Sequence, residues 1–103
     1  MLSPKLIVDI VAGQFGLTRG QLLGRSHLPR IVLARHIAML LCLEMVRGAS
    51  LSSVGQWFGG RHHTTILHAR DVMCRKIAVD REFAKQVEEL RQIIIKATHR
   101  RAA

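Results

Sequence analysis

Residues 50–76 read SLSSVGQWFGGRHHTTILHARDVMCRK, and their punctuation decides the fold. Ser50 or Ser52 stands where a helix N-cap is expected, ahead of Leu51, Val54 and Phe58 at helical spacing. Gly59-Gly60 breaks that helix, because consecutive glycines open the backbone conformations a tight turn needs. A second helix is predicted from His63 or Thr64 to about Val79. At ~100° per residue, Ile66, Met73 and Ile77 share one face, with Leu67, Ala69 and Cys74 at its edges. Thr64, His68, Asp71 and Arg75 form a polar stripe on the opposite face. Helix, glycine turn and a second helix with one polar face make the helix-turn-helix pattern, whose second helix lies in the major groove of DNA. An αα-hairpin with a solvated face fits the same spacing.

Working outward, the same signals divide the rest of the chain. Ser3-Pro4 reads as an N-cap with Pro at the first helical position. Leu6, Ile7, Ile10, Val11 and Phe15 follow at helical spacing, and Gly16 ends that helix. Thr18-Arg19-Gly20-Gln21 fits a capping box that opens a short helix through Leu22 and Leu23. Gly24 to Pro29 is a loop. Arg30 to Arg47 is apolar nearly all round and is expected to be the longest helix, at the centre of the domain, with Gly48 as its stop. Asp80 caps a last helix whose core stripe is Phe83, Val87, Leu90 and Ile94. That helix is expected to end near Thr98. No segment alternates with period two. The fold class expected is all-α, with about six helices, as one helical domain over 1–98 and a basic tail over 99–103.

Composition narrows the function. The chain has 103 residues, and 49% hydrophobic content is too high for disorder. Two Cys are too few for a disulfide scaffold, and Cys42 and Cys74 are read as buried, reduced thiols. The longest uncharged apolar run, Ile37 to Leu43, falls far short of the ~18 residues a bilayer needs. Asp9 interrupts Leu6-Ile7-Val8, so no signal-peptide core is formed. A cytoplasmic protein is expected. Sixteen Lys and Arg against seven Asp and Glu give +9, which points to a polyanion and most often to nucleic acid. The excess is concentrated: Arg19, Arg25, Arg30 and Arg35 lie in a stretch with no acid, and Arg61, Arg70, Arg75 and Lys76 face only Asp71. Joined through the central helix, the two stretches form one continuous patch.

The stretch from Val54 to Ala69, VGQWFGGRHHTTILHA, resembles the signature of the bacterial replication initiator DnaA. That family typically reads Ile-Gly-x-x-Phe-Gly-Gly-Arg-Asp-His-Thr-Thr-Val-Leu-His-Ala. The resemblance extends to Phe15-Gly16-Leu17, Leu22-Leu23 and Arg35-His36-Ile37-Ala38-Met39, and covers roughly Ile7 to Ile95. It is to the family's C-terminal DNA-binding domain, which is similar to Trp repressor in its helix-turn-helix. Nothing resembles the ATPase domain, since no GxxxxGK[ST] loop is present. The resemblance implies that Arg61 holds a backbone phosphate and that His63 and Thr64 face bases in the major groove. Thr65 would support the helix start or reach a phosphate, and Arg35 would lie near the DNA backbone. The loop Gly24 to Arg30 would approach the adjacent minor groove. His62 and His68 complete the candidate set, with Arg25, His27 and Arg30 on the loop side.

Three departures from the family pattern matter. His62 stands where the family usually has Asp, His27 where it tends to place a minor-groove Arg, and Arg70 is followed by Asp71 and Val72. Asp accepts from a cytosine amino group, whereas a donor at His62 would favour purine N7 or O6. DNA binding is therefore better supported than recognition of the usual DnaA box. No metal site is expected, because His63 and His68 do not share a helical face and no acid or Cys completes a set with His62. Thr64, Thr65 and His63 read as a cap rather than a nucleophile and base. No catalytic residue and no cofactor are expected. The partners expected are double-stranded DNA and other initiator molecules, with no membrane and no small-molecule substrate. The role expected is in replication initiation or its regulation. The alternatives are a small transcriptional regulator and a protein-interaction module with vestigial DNA binding.

Overall fold

Each helix begins at a polar capping side chain or at a proline, which has no amide to satisfy. In the computed structural model, which describes residues 2–102 and their side chains through residue 100, Ser3 Oγ accepts from the Leu6 amide at 3.2 Å. This opens α1 (Pro4–Gln14). Thr18 and Gln21 form a reciprocal capping box at α2 (Arg19–Leu23). Pro29 sits at the first position of α3 (Pro29–Met45), which has no side-chain cap. Ser50, rather than Ser52, caps α4 (Leu51–Trp57) together with Ser53. His62 caps α5 (His63–Val79). Asp80 Oδ1 accepts from the Phe83 amide at 3.0 Å at the start of α6 (Arg81–Ala102).

The central position of α3 follows from its composition. It buries Ile31, Ala34, Ile37, Ala38, Met39, Leu40, Leu41 and Cys42 and packs against α1, α2, α4 and α5. It can face four helices at once because it is apolar on nearly every side. Across it lie Ile7 and Val11 of α1, Val54 of α4 with Phe58 just beyond it, and Ile66 and Met73 of α5. α6 closes the core from α1 and α5 with Phe83, Val87, Leu90 and Ile94. The Arg91 guanidinium also clasps Glu44 of α3 at 2.9 and 3.1 Å. The chain is all-α, with six helices and a helix-turn-helix among the described residues.

Three expectations need correction. The longest helix is α6, not α3. α6 does not stop near Thr98 but remains helical through the residues set apart as a tail, as far as Ala102. Nothing there breaks it: neither Gly nor Pro follows Thr98, and Lys96 and Arg100 place positive charge near a helix C-terminus, where it is favoured. Met1, Ala103 and the side chains of Arg101 and Ala102 lie outside the described residues. Cys42 is buried as expected, but Cys74 is exposed, because it sits past the edge of the α5 face that reaches the core. Burial pushes the Cys42 thiol up to about 12, so it behaves as a small apolar group.

Candidate nucleic-acid interface

The turn between α4 and α5 is held tightly. Gly59 and Gly60 take φ of 77° and 75°, which favours glycine. The chain then folds back on α4, and the Arg61 amide donates to the Gly55 carbonyl at 2.9 Å. Gly55 is required there, since a Cβ would lie 2.1 Å from the Arg61 carbonyl oxygen.

This turn delivers an exposed polar cluster at the head of α5: His62, His63, Thr64, Thr65 and, one turn on, His68. The cluster is built from local bonds. His62 Nδ1 accepts from the Thr64 amide at 3.2 Å and lies 2.8 Å from Thr64 Oγ1. The His62 and His63 rings lie with centroids 4.2 Å apart, tilted by 34°. The Thr65 amide donates to the His62 carbonyl at 3.0 Å. Two of the helix's first amides are therefore satisfied within the chain. Because Nδ1 accepts, the proton of the neutral His62 ring sits on Nε2, as a donor.

The arginines are placed differently. Arg61 turns inward and donates to the carbonyls of Leu23 (3.2 Å), Phe58 and Gly24. Arg35 is only 6% exposed. It donates to the carbonyls of Leu22 (2.6 Å), Ser26 (2.9 Å) and Gln21 (3.1 Å). Arg25 is exposed and reaches the Gly59 carbonyl at 2.9 Å. Burial, then Arg25, holds the Arg35 guanidinium below its ordinary value. Burial, then Arg35 and Arg25, does the same to Arg61. Carbonyls satisfy these donors without cancelling their charge.

Between loop and helix lies a cleft of about 240 Å³ lined by Arg25, His27, Arg35, His36, Arg61 and Thr65 over Val32 and Met39. None of the described residues lining it is an acid. It gathers five of the residues singled out by sequence from both sides of the chain. Arg30 is not among them: its guanidinium bonds the Phe15 carbonyl at the end of α1, 5.7 Å over the Phe15 ring. Arg70, just beyond His68, pairs loosely with Asp71 at 3.4 Å. His36 was given no role by the sequence, and the signal was its place with Val32 and Met39 at i, i+4 and i+7 on α3. It is half-buried, and burial, then His68, Arg35 and Arg61, pushes it below its ordinary value.

Residues 4–77 match the family described as bacterial DnaA protein helix-turn-helix. The chain belongs to this DnaA helix-turn-helix family. The DnaA match spans α1 to α4 and all but the last two residues of α5. The chain is similar to the chromosomal replication initiator protein DnaA of Lactobacillus delbrueckii subsp. bulgaricus, at 41% identity over 88 residues, 85% of this chain and 19% of that protein. It is 37% identical over 93 residues to the DnaA of Corynebacterium jeikeium, covering 90% of this chain and 16% of that protein. With the DnaA of Chlorobaculum tepidum the identity is 39% over 93 residues, 90% of this chain and 19% of that protein. The chain thus spans 16 to 19% of the length of these curated relatives. No helix among the described residues is long and apolar enough to cross a membrane.

Proposed function

We propose that this chain binds double-stranded DNA, with the head of α5 in the major groove and the loop 24–28 against the adjacent groove. The observation that carries this is the cleft that joins the two elements, lined by three arginines and two histidines with no acid among the described lining residues. His63 and Thr64, exposed at the first turn of α5, read base edges, and Thr65 and Arg25 face phosphates. His68 continues the same face, and His27 lies on the groove side of the loop. Arg30 belongs to the rim. The setting is chromosomal replication initiation or its control, in keeping with the names of the DnaA relatives.

His62 sets specificity. Its cap fixes an outward Nε2–H, which suits the N7 or O6 acceptor of a purine. Selection of bound sites from a random duplex pool tests both claims. His63→Ala and Thr64→Ala are expected to cost about 1–3 kcal/mol on the selected site and less on random DNA. His62→Asp is expected to shift one position towards cytosine. Equal losses on both DNAs, with identical preferences for His62→Asp, would remove base reading from α5.

A further inference from the structure

Gln21, Leu22 and Leu23 end the short helix α2, Gly24 is its C-cap, and the last carbonyls of a helix have no partner within it. Each of these four is taken by an arginine from elsewhere in the chain. Arg35 of α3 takes Gln21 and Leu22, and Arg61 of the α4–α5 turn takes Leu23 and Gly24. Each arginine also holds one more carbonyl: Arg35 that of Ser26 in the loop, and Arg61 that of Phe58 at the end of α4. Arg25 returns the tie from the loop to Gly59. Two cations at a helix C-terminus are also favoured by its dipole.

We propose that Arg35 and Arg61 are positioning residues, a guanidinium clamp that locks the loop 24–28 to the turn of the helix-turn-helix. This rests on the DNA-binding reading above and deepens it. The two exposed groups of that reading, Arg25 with His27 and His62 to Thr64, sit on separate segments. α2 packs on α1 and α3, and arginine–carbonyl bonds tie its end and the loop to the α4–α5 turn. Gly59 packs closely there: a Cβ would lie 3.2 Å from the Leu23 carbonyl oxygen, tighter than ordinary contact. The clamp presents both segments at a fixed separation before DNA arrives, and ordering done in advance is not charged against binding.

The clamp and a direct phosphate contact by Arg61 predict different behaviour for Arg61→Lys. Lysine keeps the charge but carries its donors on a single atom, without the planar fork that spans several carbonyls. A phosphate contact survives that change, whereas the clamp does not. Three readouts on the full chain test it. In the free protein, amide exchange in Arg61→Lys should quicken at residues 24–28 and 59–60 and stay unchanged in α1 and α6. On a duplex, affinity should fall about tenfold, as for a binding loop that must be ordered on contact. The backbone footprint should lose the phosphates protected by the loop and keep those protected by α5, a change that a loss of global stability would not produce.

Wild-type exchange at 24–28, or wild-type affinity and footprint in Arg61→Lys, would overturn the proposal. If Arg61→Lys fails to fold, Arg25→Met, cut at the exposed end of the same tie, must quicken exchange at 59–60, and unchanged exchange there overturns the clamp. Quickened exchange in a protein whose wild type binds no duplex would overturn the DNA reading, and with it the positioning role.

Discussion

His36 shows how a single residue links the cleft to pH. Its ring is half-buried on α3, faced by His68 of α5, by Arg61 of the turn and by Arg35 of its own helix. Burial and these charges all favour the neutral form and hold it below the ordinary value of 6.5. As pH falls through about 6.5 the unfolded chain takes up a proton that the folded chain refuses. The contribution of His36 is therefore full above that pH and is lost as pH falls through the lower folded value. Urea unfolding between pH 8 and pH 5 should show wild type losing more stability on the acid side than His36→Gln. Equal pH slopes for the two proteins would show that the ring is not held neutral.

Among the elements, the helix-turn-helix depends most on one close approach. Gly55→Ala would place a Cβ 2.1 Å from a backbone oxygen of the α5 lead-in, which cannot rotate away. A cost of about 3 kcal/mol or more is expected, since the two segments must part. Gly13→Ala in α1 is the control: a Cβ there meets nothing within 4 Å, and a gain of up to about 1 kcal/mol is expected from helix propensity. Denaturant unfolding measures both, and a tolerated Gly55→Ala would contradict the packing described for the turn. The elements themselves were legible in sequence because their signals are local. Ser3, Thr18 and Asp80 each cap the helix they precede, and Gly59-Gly60 forms the turn. The end of α6 was not legible, because no residue marks it and the stop expected at Thr98 rested on where the apolar stripe ends.

At the scale of the whole molecule, the density of arginines was legible and the employment of their charges was not. The sequence shows where arginines are dense. It does not show that Arg35 and Arg61 spend their donors on carbonyls up to 38 residues away in the chain, because partners that distant leave no local pattern. Nor does it show that Arg30 turns towards α1. Facing outward around the cleft are Arg25 and His27 on the loop and the polar head of α5, and none of the described residues lining the cleft is an acid. The central claim is that this face takes a DNA duplex largely through its phosphates. The most direct test is equilibrium binding of a random-sequence duplex across a salt series. The account predicts measurable binding at low salt, with log Kobs falling linearly against log salt at a slope of about −3 or steeper, as for three or more neutralised phosphates. No binding at low salt, or an affinity that does not change with salt, would contradict it.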